Sequence, residues 1–338
     1  MSKEIKFGVR LSRAMALPAP KKDVVDGYDT RYFYPRTGTY MQAEILLTPY
    51  ERIDWNAIKN CVLEAERLGF DSVILPDHPM IGRARMDCMA LLGALAGVTS
   101  RIRLGTMTTN TMRYVPSPAL FAKQIATLDY LSGGRIYPLG LGAGYLKEEY
   151  DAYGFPYATH LARIEQMKET IEIMKLMFTK EKATYKGKYF EIKDAVCEPK
   201  PIQNPFPICI GGRGKHTTKV TARYADFANI DGQFDETKKY LATLKEEVKA
   251  AGRNWDNLVK SWGCWFWIYE DEKERNEHAE AIKNIRPGAV WMGTPDETIR
   301  LIQSYVDLGI TYVTLRFEDL PGTRGLRLFA EKVMPAFK

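Results

Sequence analysis

The sequence predicts an α/β protein built as a single closed (β/α)8 barrel, or TIM barrel, and two observations support this fold. Short apolar, β-branched runs alternate with longer segments of helical periodicity, which is typical of parallel βα units. Eight such units can be counted over the 338 residues, with no other internal repeat, so 1–338 is predicted to be one domain. An open, doubly wound sheet is the alternative architecture.

Each predicted strand is an apolar run bounded by turn residues. The eight runs are Ile5 to Leu11, Ser72 to Leu75, Ile102 to Met107, Ile136 to Gly140, Pro207 to Ile210, Phe227 to Ile230, Val259 to Ile268 and Thr311 to Phe317. The segment 183–192 alternates around Lys186-Gly187 and predicts a small hairpin outside the main sheet.

Helices are predicted between the strands from caps and apolar stripes. Asp54 is a plausible N-cap for the first helix, and Gly69 supplies a left-handed C-cap. Asp235 is predicted to cap a later helix in the same way. This later helix is expected at 235–251. The remaining helices are expected at 87–97, 117–132, 160–177, 272–285, 294–308 and 327–333, and one more follows the fifth strand and ends at 225.

Residues 12–53 form a long insert after the first strand. The insert is rich in aromatic and basic side chains, Tyr28, Arg31 and Tyr32 among them. It is interpreted as a lid over the barrel mouth or a dimer contact, with a packed surface loop as the alternative.

Composition excludes several classes of protein. The net charge is only +6, and no basic run has interleaved aromatic residues, so nucleic acid is not an expected partner. No run of apolar residues is long enough to span a membrane, and no apolar signal segment follows Met1. The five cysteines lack C-x-x-C spacing, so we expect free thiols and a cytoplasmic location.

Catalytic groups are expected where the strands end, because TIM barrels place their chemistry at that face. The second strand ends in Pro76-Asp77-His78-Pro79, and the prolines keep this segment extended. Asp77 and His78 are therefore predicted to point into the barrel mouth, where His78 is a candidate proton donor near neutral pH. The alternative is a capping Asp beside a surface His.

The third and fourth strands end in two further unusual segments. Small polar residues from Thr106 to Thr111 are suited to hydrogen bonding with the edge of a heterocycle, unless they form a plain polar turn. The run Leu139 to Tyr145 has glycine at alternate positions, which lets a flat ring or a phosphate approach the backbone. A close-packed turn is the alternative for this run.

The fifth predicted strand ends in the most informative segment, Gly211-Gly212-Arg213-Gly214-Lys215. Its glycines let backbone N–H groups point at one spot, and the following helix N-terminus and the basic side chains favour an anion. A phosphate monoester is the predicted occupant, and a flexible basic turn is the alternative. Together the strand ends suit a phosphorylated planar heterocycle such as flavin mononucleotide (FMN), and no Ser-His-Asp order, P-loop or zinc spacing competes.

The sequence resembles the bacterial luciferase-like superfamily of flavin- and deazaflavin-dependent oxidoreductases. The resemblance runs from Ile5 to the C-terminus apart from the insert. Its motifs are ERLGFDSVILPDH, RIRLGT, PALFAKQIATLDYLSGGR, LGLGAGY, EPKPIQNPFPICIGGRG, ARYADFAN and GTPDETIRLIQSYVDLGITYVTLRF. They are most similar to the branch that uses the deazaflavin coenzyme F420, so F420 is the cofactor that the resemblance implies, with FMN as the alternative.

The resemblance also assigns roles to residues. His78 would be catalytic, and a cis peptide is expected between Met107 and Thr108. The cofactor would be bound by Asp77, Met107, Thr108, Asn110, Ala143, Gly144, Gly211, Gly212, Arg213 and Gly214. Tyr145 departs from the pattern, since the sugar-phosphate dehydrogenases of this branch carry a catalytic Glu there, and this argues against sugar oxidation. Arg316, at the end of the eighth strand, is a candidate for reaching an anionic group, with an ordinary surface Arg as the alternative.

The resemblance implies a homodimer or higher homo-oligomer acting on a small molecule. The function expected first is hydride transfer between the deazaflavin and a small organic substrate. The alternatives are an FMN-dependent two-component monooxygenase, a non-catalytic flavin-binding protein, and a barrel isomerase that acts on a phosphorylated substrate without a redox cofactor.

Overall fold

The computed structural model describes residues 4–11, 54–80, 86–277, 290–317 and 319–338. The insert 12–53 and the second half of the predicted helix 272–285 lie outside these residues. Eight parallel strands close into one barrel, because the first pairs with the last and every intermediate neighbour is also paired. This confirms the TIM barrel and excludes the open sheet.

The strands include the predicted hairpin as a separate two-stranded sheet. In chain order they are β1 Lys6–Arg10, β2 Ser72–Leu75, β3 Arg103–Thr109, β4 Ile136–Leu141, β5 Ala183–Lys186, β6 Glu191–Ala195, β7 Ile208–Gly211, β8 Phe227–Asp231, β9 Val259–Ile268, β10 Val290–Gly293 and β11 Tyr312–Phe317. The barrel is β1-β2-β3-β4-β7-β8-β9-β11, and β5 and β6 form the hairpin.

Helices connect the strands. They are α1 Trp55–Leu68, α2 Cys88–Val98, α3 Thr111–Tyr114, α4 Pro118–Ser132, α5 Lys147–Ala152, α6 His160–Thr179, α7 Lys215–Tyr224, α8 Phe234–Ala250, α9 Glu272–Glu277, α10 Pro295–Asp307 and α11 Arg324–Lys332. The short helices α3 and α5 were not predicted, and both follow strand ends at the barrel mouth. None of the helices in the described ranges combines the length and apolar character that crossing a bilayer requires.

Strand β10 is an addition to the predicted eight. The first half of β9 pairs with β8, and its last residues, from Trp265 to Ile268, pair with β10 instead. Strand β11 occupies the opposite edge of β9. Since β9 is longer than its neighbours, β10 extends the barrel wall at the mouth without changing the closed ring.

Helix caps agree with the sequence except at α8. The Asp54 carboxylate accepts hydrogen bonds from two N–H groups at the start of α1, as predicted, and Gly69 is left-handed. Asp235 is not the N-cap of α8: the helix begins at Phe234 after Gln233, and Asp235 lies in the first turn. A carboxylate there still interacts favourably with the helix dipole.

Side chains alternate between the barrel interior and the layer beneath the helices. Ile74, Met107, Cys209, Phe227 and Tyr312 form a separate buried cluster that fills the interior. On β9, Trp262, Cys264 and Phe266 belong to the helix-facing core, so alternation turns Trp265 and Trp267 toward the interior. The packed lower barrel therefore leaves chemistry to the rim where the strands end.

Candidate active site

The segments singled out in the sequence lie at one rim of the barrel. Strands β2, β3, β4 and β7 are consecutive, parallel neighbours, so their carboxyl ends meet there. The hydrogen bonds and ion pairs between these strand ends involve several residues that the sequence did not single out.

His78 is held by a buried carboxylate. Its Nδ1 lies 2.9 Å from Oε2 of Glu149, on α5, and Oε1 of the same carboxylate accepts a hydrogen bond of 3.1 Å from the Met80 N–H. The Glu149 side chain is fully buried, whereas that of His78 is 19% exposed. The ring of Tyr145 approaches the His78 ring edge-on, with 5.6 Å between centroids. His78 is thus at the rim as predicted, in one fixed orientation.

The Asp77 carboxylate is buried and already engaged. It accepts a hydrogen bond of 3.1 Å from the Asn110 N–H, and it forms an ion pair with Arg113, whose Nη2 lies 3.0 Å from Oδ1. Arg113 also pairs with Asp87. Although burial works against the charge, the two carboxylates raise the pKa of Arg113 above its ordinary value. Asp77 therefore braces the β2 and β3 ends, and its role in cofactor binding stays a prediction.

The peptide bond between Met107 and Thr108 is cis, as the resemblance implied. The Met107 side chain packs inside the barrel. Thr108 occupies space that three glycines vacate: a Cβ at Gly142 would lie 2.2 Å from its Oγ1, and one at Gly211 would lie 2.6 Å from its Cγ2. A Cβ at Gly140 would also be close, 3.1 Å from Cγ2. Gly142 and Gly211 therefore admit Thr108, whereas a Cβ at Gly140 would first meet the Thr106 carbonyl oxygen, at 2.4 Å. These contacts favour the close-packed turn, which was the alternative for this run.

Asn110 and the turn after β4 are linked by hydrogen bonds. The Asn110 side-chain oxygen caps α3 and accepts a bond of 2.6 Å from the Tyr150 hydroxyl. Gly144 is left-handed, and a Cβ there would lie 2.0 Å from the Tyr150 hydroxyl oxygen. Arg163 donates to the carbonyl groups of Ala143 at 2.8 Å and Gly144 at 3.3 Å. Ala143 and Gly144 are thus fixed at the rim, and their contact with a cofactor stays a prediction.

The segment after β7 is open and basic. Gly212 is left-handed (φ 116°), and Gly214 is the N-cap of α7, where no side chain of the described residues accepts a hydrogen bond from the first turn. A Cβ added at Gly214 would meet no atom of that part of the chain within 4 Å. Arg213 pairs with Glu236 at 3.1 Å and is 38% exposed. The start of α7 thus combines N–H groups that lack a side-chain cap among the described residues with the nearby positive charge of Arg213, an arrangement that favours anions.

A second charged cluster joins three strand ends inside the mouth. Asp231, at the end of β8, lies 3.1 Å from a guanidinium nitrogen of Arg10 and 3.6 Å from one of Arg316. Burial opposes ionisation of Asp231, but the two arginines outweigh it and lower its pKa. The Arg316 guanidinium lies 5.9 Å from the ring centre of Trp265. Arg316 is 8% exposed, so it is a buried residue of the mouth and not a surface Arg.

A pocket of about 230 Å³ opens beside His78. Met86, Met112, Tyr153 and Phe155 line its apolar part. Asp77, His78, Asn110 and Arg113 contribute its polar part. The pocket therefore gives a small organic molecule access to the imidazole.

Glu149 is the functional candidate that the sequence interpretation missed. It lies between Leu146 and Tyr150 at helical spacing, and all three side chains are buried. An acid on the apolar face of a short helix, directly after a glycine-rich strand end, is the signal that would have identified it.

A TIM barrel that gathers a histidine–carboxylate pair and an open, basic helix N-terminus at one rim has the features of a cofactor-dependent barrel enzyme. The sequence matches the family described as luciferase-like monooxygenase over residues 35–286. The chain therefore belongs to this family, which confirms the resemblance drawn from its motifs.

The chain is also similar to individual proteins in sequence and in fold. The chain is 28% identical over 326 residues to a protein of Microbacterium testaceum named F420-dependent glucose-6-phosphate dehydrogenase, covering 86% of this chain and 94% of the relative. An F420-dependent secondary alcohol dehydrogenase solved with an F420-acetone adduct superposes with a TM-score of 0.74, at 19% identity and 99% coverage of both chains. The EDTA monooxygenase of Chelativorans sp. BNC1 gives 0.75 at 18% identity, covering 99% of this chain and 94% of its own. The two solved structures are similar in fold.

Proposed function

We propose that this protein is an oxidoreductase that transfers a hydride between coenzyme F420 and a small organic substrate at the rim of its barrel. The observation that carries the proposal is the pairing, at one rim, of an oriented histidine with an open phosphate-type turn. Relatives named as F420-dependent enzymes support the choice of cofactor.

The residues at the rim fit a phosphorylated heterocycle. Within the described ranges, the α7 N-terminus has no side-chain cap, and a Cβ at Gly214 would meet no neighbour. Asn229, which pairs with Gly211 in the sheet, has a buried Oδ1 that no described residue bonds. Coenzyme F420 and FMN both carry a phosphate and a ring N–H. The turn from Gly211 to Gly214 would hold the phosphate, and Asn229 would accept from an N–H.

Bound F420 accepts or donates a hydride, and the protein supplies position and a proton. His78 would exchange the accompanying proton with the substrate. The apolar pocket beside it would exclude water and hold the substrate's carbon skeleton. Tyr145 stands near His78 where a sugar-phosphate dehydrogenase has an acid, so we propose a substrate other than a sugar phosphate.

Spectroscopic titration tests the cofactor. We expect purified protein to bind F420 at micromolar concentration or below and to bind FMN much more weakly. The variant His78→Ala should keep F420 affinity within a few-fold, because the phosphate turn is untouched. It should lose roughly 10²–10⁴-fold in turnover, the usual contribution of a general acid or base. Absence of F420 binding, or full turnover by His78→Ala, would overturn the proposal.

An FMN-dependent monooxygenase is the second candidate, favoured by the family's description and by the EDTA monooxygenase fold. The two cofactors imply exclusive chemistries, since deazaflavins have carbon in place of the flavin N5 and react poorly with oxygen. Tight FMN binding without F420 binding would favour this candidate.

A further inference from the structure

The imidazole of His78 has two nitrogens, and the structure treats them differently. Nδ1 faces the Glu149 carboxylate at 2.9 Å. Among the described residues, none forms a hydrogen bond with Nε2. An ionised carboxylate only accepts hydrogen bonds, so this contact places the proton of a neutral ring on Nδ1. Nε2 then carries the lone pair.

Glu149 is itself held in place. The Met80 N–H donates to Oε1 at 3.1 Å, which leaves Oε2 for the imidazole. The side chain is fully buried, so water does not compete for either oxygen. Asp77, the other carboxylate nearby in sequence, is occupied by Asn110 and Arg113. Glu149 is therefore the acid that sets the state of His78.

We propose that Glu149 is a positioning residue that fixes His78 in the Nδ1–H tautomer, so that Nε2 is the nitrogen that takes a proton from the substrate during its oxidation. This inference rests on the proposed hydride transfer. Bound F420 would supply the acceptor for the hydride that leaves the substrate C–H bond with its electron pair. Where the oxidised group is a hydroxyl, its O–H bond breaks and the proton forms the Nε2–H bond, which leaves a carbonyl product and an imidazolium ion. Glu149 stabilises this imidazolium, and reduction runs the same transfers backward.

Nuclear magnetic resonance of the imidazole nitrogens tests the tautomer without substrate or cofactor. The chain has only four histidines, so the variant His78→Gln identifies the signals of this ring. At a pH where the ring is neutral, we expect the proton on Nδ1. A wild-type protein with the proton on Nε2 would overturn the inference.

The variant Glu149→Gln sharpens the test because it keeps the shape of the side chain. The Met80 N–H requires the amide oxygen, so the amide NH2 group turns to His78 and donates to Nδ1. The proton should then move to Nε2, and the protonated and unprotonated nitrogen signals should exchange places. A carboxylate that merely braced the loop would leave the tautomer unchanged in this variant, and that result would overturn the inference.

Two controls separate this inference from the proposed function. Glu148→Gln changes an exposed acid of the same helix and should leave the tautomer as in the wild type. F420 titration of Glu149→Gln should give an affinity within a few-fold of wild type. If the wild type fails to bind F420 but the tautomer still inverts, the proposed cofactor is wrong and the Glu149–His78 arrangement stands.

Discussion

The two halves of the rim are built in opposite ways. On the histidine side, Asp77, Glu149 and Arg113 are buried or half-buried and bonded to one another or to nearby backbone. On the phosphate side, the segment from Gly211 to Gly214 is largely exposed, and its helix N-terminus has no side-chain cap. On the histidine side the carboxylates of Asp77 and Glu149 already have their partners in the protein, whereas on the phosphate side we expect a ligand to supply the acceptor. Removal of a charged side chain should therefore lower stability on the first side and ligand affinity on the second.

The largest effect is expected from Arg113→Ala. The change leaves the buried Asp77 carboxylate, whose side chain is 1% exposed, without its ion-pair partner. Breaking such a pair from one side is strongly unfavourable, so we expect a loss of about 3 kcal/mol in the free energy of unfolding. Guanidinium denaturation followed by circular dichroism measures it. The matched control is Arg213→Ala on the phosphate side, and equal losses in the two variants would contradict the comparison.

The Asp231 cluster should show the next largest effect. Asp231→Asn leaves Arg10 and Arg316 without their shared carboxylate, at a site only partly open to water. We expect a loss of roughly 2 kcal/mol at pH 7, below the value for a fully buried pair.

Acid provides an independent test of the same cluster. The pKa of Asp231 is lowered in the folded protein, so its stabilisation is complete above about pH 5 and is lost as the pH falls through the folded-state value. Below the ordinary carboxyl pKa of about 3.9, the wild type should therefore lose stability more steeply than Asp231→Asn. Parallel curves for the two proteins would show that Arg10 and Arg316 do not act on this carboxylate.

A smaller effect is expected where Thr108 meets Gly211. Gly211→Ala brings a Cβ to 2.6 Å from the Thr108 Cγ2, which should lower stability by about 1 kcal/mol, the low end of the range for overpacking. Thr108→Ser removes that methyl group, and the next Thr108 atom is 3.6 Å away. The double variant should therefore match Thr108→Ser alone.

Gly214→Ala is the matched control for this pair. Its φ of −69° suits any residue, and the added Cβ meets no atom of the residues that the structure describes, so stability should hardly change. If Gly211→Ala is as stable as Gly214→Ala, the close approach of Thr108 is not the reason for a glycine at position 211.

The sequence was sufficient where a signal is local. All the barrel strands, the hairpin and the position of His78 follow from runs of a few residues, although several strands begin or end a residue or two away from the predicted bounds, as β3 does at Arg103 and Thr109. Contacts between distant segments were not predictable. Arg10 and Asp231, which form an ion pair, are 221 residues apart, and β10 pairs with the part of β9 that extends beyond β8. The glycines at the end of β4 were only partly informative. A glycine in the sequence indicates that some group approaches the backbone closely, but it does not show whether that group is a ligand or a side chain such as Thr108.

The smallest effect on stability, and a clear one on binding, is expected from Arg213→Ala. Arg213 is 38% exposed and its partner Glu236 is 58% exposed, so losing the pair should cost less than about 1 kcal/mol. A phosphate at the α7 N-terminus would lose one nearby positive charge, and F420 affinity should fall roughly tenfold, the equivalent of about 1.4 kcal/mol. Fluorescence titration at low and high salt measures this, and the difference from wild type should shrink at high salt because exposed charges are screened. Glu236→Gln frees Arg213 from its partner and should move the affinity the other way. If both variants bind F420 like the wild type, the phosphate does not bind beside Arg213. The contrast between the histidine side and the phosphate side would then be wrong for the phosphate side.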